Sequence, residues 1–192
     1  MKFTKIPETT FQQLQLNAGV LLRNFDPASA EVDNADIVGA TSGGVTFAAV
    51  PTYSDFGDDI DNCPKNMLEL KNLDSWAITM GGSFVTVDTA AAKLLIAAAD
   101  VAENKVTPRN DITEEDFGDI WWVGDYSDKN GETNGGYIAI RMLNALSTGG
   151  FSLQTSDRAK GTFAFTFTAH YSMTAQETIP FEVYIKAGTE EA

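Results

Sequence analysis

His170 is the only imidazole and Cys63 the only thiol in the 192 residues, so acid–base and nucleophilic chemistry have little to work with. His170 falls among alternating threonines in Thr166-Phe167-Thr168-Ala169-His170. A histidine on the polar side of a regular strand lacks the converging partners that a catalytic triad needs. Cys63 is followed by Pro64 in an acidic stretch. It has no helix N-terminus or second sulfur nearby to activate it. No G-x-S-x-G elbow occurs. The expectation is therefore a chain without catalytic residues.

Two aspartate clusters are the candidates for metal chemistry. Asp55, Asp58, Asp59 and Asp61 do not follow the D-x-[DN]-x-[DN]-G order that wraps a calcium ion. Asp128-Lys129-Asn130-Gly131 follows part of it. Tyr126 and Tyr137, however, fall on the first and last ligand positions, where a carboxylate is required. Thr41-Ser42-Gly43-Gly44 and Met80-Gly81-Gly82-Ser83 are rich in glycine but have neither phosphate-cradle arrangement, and they read as turns or bulges. No metal or cofactor is expected.

The elements that would carry these residues are mostly strands. Phe163, Phe165, Phe167, Ala169, Tyr171 and Met173 alternate with Ala164, Thr166, Thr168, His170 and Ser172. One apolar and one threonine-rich face over Thr162–Met173 is the pattern of a half-buried antiparallel strand. Phe181, Val183 and Ile185 repeat it against Glu182, Tyr184 and Lys186. Shorter strands are expected at Gln13–Leu16, Val45–Val50, Ser75–Met80, Phe84–Val87, Ile120–Val123, Tyr137–Leu143 and Gly150–Thr155. The single clear helix, about residues 88–99, starts at Asp88 as N-cap and runs through Ala90-Ala91-Ala92-Lys93-Leu94-Leu95-Ile96. It is apolar around nearly its whole circumference, so it needs cover on every side. That cover comes either from its own domain or from a neighbouring subunit.

Two stretches read as long loops. Gly124–Gly136 contains Asn130-Gly131, a hairpin signal that joins the Trp121-Trp122 strand to the Tyr137 strand. Thr52–Asp74 is acidic at first and apolar later, with Phe56, Ile60, Met67, Leu68, Leu70 and Leu73 in it. A loop beyond about 12–15 residues in a compact domain is usually functional or disordered. This one has too much apolar surface for a solvated linker. Trp121 and Trp122, being adjacent in a strand, point to opposite faces and cannot both join a carbohydrate-binding platform.

Composition agrees with a folded domain. The hydrophobic fraction is 43% and 10% of residues are aromatic. At this length a chain buries roughly 70% of its unfolded surface without disulfides or metal. The 27 acidic and 13 basic residues leave a net charge of −14, which repels nucleic-acid phosphates rather than gripping them. A lone cysteine fits a reducing compartment. The first residues hold no apolar stretch of signal-peptide length. The longest apolar run, Leu94–Ala99, is far short of the ~20 residues of a membrane helix.

Four segments stand out: Leu14–Leu22 running into Asn24-Phe25-Asp26-Pro27, Asp55–Asn62 with Glu69-Leu70-Lys71, Trp121–Gly131, and Ala145–Phe151 followed by Lys160–Phe165. Together they resemble the major tail tube proteins of long-tailed phages and prophages of Gram-positive bacteria. The resemblance implies a mainly β chain, a β-sandwich or split barrel with one flanking helix and a single domain over 1–192. It implies hexameric rings stacked into the hollow virion tail through which DNA passes without specific binding. A tape measure would lie inside, with tip and terminator proteins at the ends and assembly in the host cytoplasm. The N-terminal arm, the loop at about 52–74 and the C-terminal segment 174–192 would be assembly elements. Phe56, Asp58, Asp59, Ile60, Met67 and Leu70 are the expected inter-ring residues. The alternatives are a contractile-tail or secretion-like tube and a head decoration protein.

Overall fold

The computed structural model describes residues 5–129, 131 and 134–189. Its strands are β1 (Gln15–Leu22), β2 (Thr41–Asp55), β3 (Lys71–Phe84), β4 (Ala99–Ala102), β5 (Lys105–Pro108), β6 (Gly118–Tyr126), β7 (Gly136–Ser147), β8 (Ser152–Gln154), β9 (Thr162–Thr168) and β10 (Phe181–Lys186). One α-helix, α1 (Thr89–Ile96), lies between β3 and β4. The chain is mainly β, a β-sandwich with one flanking helix.

All pairings are antiparallel. One layer runs β1-β6-β7-β10 and the other β2-β3-β9-β8, and β7 belongs to both. Its Tyr137–Met142 stretch pairs with β10, whereas Leu146 and Ser147 pair with Thr168 and Phe167 of β9. The change of partner occurs around Asn144, whose φ is 48°. Up to that point even-numbered residues such as Ile140 and Met142 face inward; beyond it Ala145 does. One left-handed residue thus shifts the alternation by one, which is how a bulge re-aims side chains. Asn144 is held there by its amide N–H on Asp119 Oδ1 at 3.2 Å and its side-chain NH₂ on His170 O at 3.1 Å.

The core fills the space between the layers. Leu21, Ile120, Met142 and Ala145 meet Ile78, Met80, Phe84, Phe165 and Phe167, with Leu95 of α1 closing one end. Phe165 stacks between Phe84 at 4.3 Å and Phe167 at 5.2 Å. The outer face of the first layer has its own cluster of Leu22, Phe25, Trp121, Val123 and Ala139. The β1–β2 connection covers it, fastened by the Tyr137 hydroxyl donating to Pro27 O at 2.6 Å. Trp121 faces that cluster and Trp122 the inter-layer core, as adjacent strand residues must. The Trp122 indole N–H donates to Ala18 O at 3.0 Å and lies against Gly19, where a Cβ would approach the ring to 2.6 Å. Gly19, at φ +69°, makes the β1 bulge possible on both counts.

Several expected boundaries move. Ser75–Met80 and Phe84–Val87 merge into β3, which ends at Phe84, so Gly81-Gly82 is neither turn nor bulge but part of the strand. Gly43 and Gly44, both at φ 83°, do form a bulge, where the β2–β3 register slips between Thr41 and Val45. The expected strand to Met173 stops at Thr168, because its pairing with β3 ends at Thr79 and a turn closes at Ser172–Ala175. Tyr171 and Met173 are consequently exposed. Gly124–Gly136 shrinks as β6 extends to Tyr126 and β7 begins at Gly136. Strands β6 and β7 do pair as a hairpin, while Asn130 lies outside the described residues.

The helix is capped as expected, with Ala91 N–H donating to Asp88 Oδ1 at 2.6 Å. It ends at Ile96 because Ala97 turns left-handed at φ 69°. None of its residues is exposed. Its cover comes from within the domain: the sandwich on one side and, on another, the β4–β5 hairpin that sequence reading missed. Arg109 pins that hairpin, pairing with Asp100 at 2.9 Å and with the buried Asp116 at 2.6 Å. Asp116 also accepts the Thr113 N–H at 2.9 Å and hydroxyl at 3.1 Å. The Thr113 amide, with Arg109 beside it, holds the Asp116 carboxyl below the usual carboxylate range despite desolvation.

Candidate assembly surface

The stretch expected as a loop over Thr52–Asp74 is a connection through most of its length, but its two ends form a β-ribbon. Tyr53 pairs with Leu73, Ser54 with Asn72 and Asp55 with Lys71, leaving 56–70 as the connection. The period-two signal is absent there because neither face of the ribbon is buried. Strand β9 backs β3 only over Thr79–Phe84. Beyond Ile78 the two strands therefore run on as an arm with no third strand. Its base is anchored by the Trp76 N–H donating to the Tyr171 hydroxyl at 3.1 Å and by the Trp76 ring against Phe181 at 5.6 Å.

A single carboxylate organises the tip. Asp55 Oδ1 accepts the Gly57 N–H at 3.0 Å and Oδ2 the Asn66 N–H at 2.9 Å, tying its two flanks together. The Gly57 amide bond is the main reason that the Asp55 carboxyl sits below its ordinary range. The Phe56 N–H closes the loop on Leu70 O at 3.0 Å. Gly57 is buried, and a Cβ on it would come within 2.8 Å of Leu70 Cδ1 and 3.0 Å of Cys63 Sγ.

These contacts divide the expected inter-ring residues. Phe56 and Ile60 are 61% and 52% exposed, Met67 is 37% exposed, and Asp58 and Asp59 are on the surface. Leu70 instead turns inward as a prop under Gly57. Leu68, 85% exposed, is the most prominent apolar side chain of the tip. Along the arm, Val50, Tyr53 and Leu73 add exposed apolar area, and Lys71 lies over the Tyr53 ring at 5.9 Å. Pairing of Tyr53 with Leu73 across the ribbon could be found only from the register.

The sandwich also leaves edges open. One layer ends at β1 and β10 and the other at β2 and β8, with the β1 edge closed at Leu21–Arg23 by the 36–38 segment. Val183 and Ile185, on the same face of β10 as the core residue Phe181, emerge from under the second layer and are exposed. Free edges and apolar strips of this kind are surfaces that a lone domain would normally blunt.

Elsewhere the chemistry is sparse. The Nδ1 of His170 lies 3.2 Å from Asn144 O, with its ring edge-on to Phe117. Cys63 Sγ contacts Met67 Sδ at 3.5 Å inside the tip. Among the described residues no group of three or more His, Cys, Asp or Glu could hold a metal ion. An open cleft of about 430 Å³ between the β1 bulge and the start of β7 is lined by Gly19, Val20, Val123, Gly124, Asp125 and Tyr137 among others. No helix among the described residues is long and apolar enough to cross a membrane. No protein-family model matches the chain, and no curated protein matches it significantly.

Proposed function

We propose that this chain is the tail tube subunit of a long-tailed phage or prophage, assembling as hexameric rings that stack into a hollow virion tail. The observation that carries the reading is the β2–β3 arm, which projects past its own sheet and ends in an exposed apolar and acidic tip. In a free monomer such a surface is a liability; between stacked rings it is a contact. The open edges at β2, β8 and β10 support closure of sheets between neighbours within a ring, since joining edges removes them. The residue resemblance supplies the ring number.

The net charge of −14 suits a conduit. Duplex DNA carries about one negative charge per 1.7 Å of axis, so a basic wall would hold it through phosphate contacts. An acidic wall leaves the genome free to slide. The tape measure would occupy the bore before DNA does, with tip and terminator proteins at the two ends. Negative-stain microscopy of the purified protein, alone and with a tail-tip nucleus, tests the proposal. Tubes with six-fold rings are expected; particles that stay monomeric at high concentration and with the nucleus refute it.

A further inference from the structure

Strand β3 carries the arm's tip at its Lys71 end. At its other end Ser83 and Phe84 pair with Ala164 and Phe163 of β9. The β8–β9 turn precedes β9 and so lies beyond that far end. Fourteen residues of β3 separate the two features, on the order of 40 Å of strand.

This far end is exposed throughout, at every residue from Phe151 to Lys160. Phe151 is 46% and Leu153 52% exposed, and Phe151 is braced by the Phe163 ring at 5.6 Å. Strand β8 pairs only with β9, so its other edge is open. The turn carries Asp157, Arg158 and Lys160, a local excess of positive charge in a strongly acidic chain. The pair of Arg158 with Asp157 spans 3.6 Å with both side chains over 90% exposed, so it is weak and easily exchanged. The tip is the complement. Asp58, Asp59, Asp61 and Glu69 outnumber Lys65, and Phe56, Ile60 and Leu68 are exposed among them.

We infer that the arm tip of one copy docks on the β8–β9 end of a second copy. Phe56, Ile60 and Leu68 meet Phe151 and Leu153, and the tip aspartates face Arg158 and Lys160. The inference rests on the tube reading and names the receiving surface. Two complementary patches at opposite ends of one molecule do not coincide with themselves under a two-fold axis. The contact is heterologous, and repeating it extends a stack with a free tip at one end and a free turn at the other.

Charge reversal tests it. R158E/K160E alters two exposed side chains, so far-UV circular dichroism and Tm should match the unaltered protein. The critical concentration for tube growth at low salt should rise about tenfold or more, leaving isolated rings. Adding D58K/D59K to the same chain should restore tubes, because each copy then carries both reversed partners. L153S should weaken stacking without changing its salt dependence. Unchanged tubes from R158E/K160E, or no recovery with D58K/D59K, overturn this contact while the tube reading stands. Absence of both rings and tubes from the unaltered protein overturns both.

Discussion

Gly81 and Gly82 are neighbours near the end of β3, and replacing each with alanine should give opposite results. A Cβ on Gly82 would lie 2.8 Å from Phe165 Cζ and 3.0 Å from Gly44 O. Ordinary carbon contacts are near 3.5–4.0 Å. The ring would have to retreat by about 0.7 Å, yet it stacks on both Phe84 and Phe167 and is buried. Retreat from the second contact would shift the β2 bulge. Overpacking of this kind costs about 1–3 kcal/mol. At about 2–4 °C per kcal/mol for a domain of this size, a mid-range 2 kcal/mol lowers Tm by about 4–8 °C. Gly81 is the control. Its Cβ would meet only Phe165 O at 3.4 Å and Thr166 Oγ1 at 3.8 Å, which is ordinary contact. Gly81→Ala should therefore be neutral or stabilise by up to about 1 kcal/mol, since glycine in a strand costs backbone entropy. Urea and thermal unfolding of both variants read the difference directly. Equal destabilisation would refute the steric argument, and a neutral Gly82→Ala would mean that the aromatic stack is loose.

Replacing Phe56–Leu70 with a short Gly/Ser turn should leave Tm within a few degrees, because long loops add little to core stability, but should abolish tubes by microscopy. Tyr137→Phe should cost about 1 kcal/mol by losing the bond to Pro27 O, and proteolysis within the β1–β2 connection should speed up. The Asp116 carboxyl is held below its unfolded value, so its stabilisation is complete above about pH 4 and is lost as pH falls through the lowered folded value. Asp116→Asn should thus be less stable at pH 7, with the gap to the unaltered protein closing in acid; a gap constant from pH 7 to pH 3 refutes the assignment.

The elements legible in the sequence are those whose local pattern is itself a record of burial. Phe163, Phe165 and Phe167 alternate with polar residues because one face of β9 meets the core. Asp88 announces α1 because the first helical amides need an acceptor. Trp121 and Trp122 separate onto two clusters because a strand has a period of two. What the tertiary structure alone decided involves partners distant in the chain. The ribbon of Thr52–Asp55 and Lys71–Asp74 is held by pairing rather than burial, so its sequence resembles a loop. Asn144 switches β7 between layers through Asp119 and His170, neither adjacent to it in sequence. Ala99–Pro108 folds over α1 because a helix apolar on all sides must be covered, and the Arg109–Asp116 pair that secures it spans seven residues and a turn. The glycines at 81 and 82 read as a turn until β9 is placed beside them; the space they leave is then occupied by Phe165. The separation of an acidic tip from a basic turn likewise has no sequence signature, since it follows from which strand pairs with which. Local side-chain periodicity encodes what each residue faces, and only the closed sheet encodes what lies at its far end.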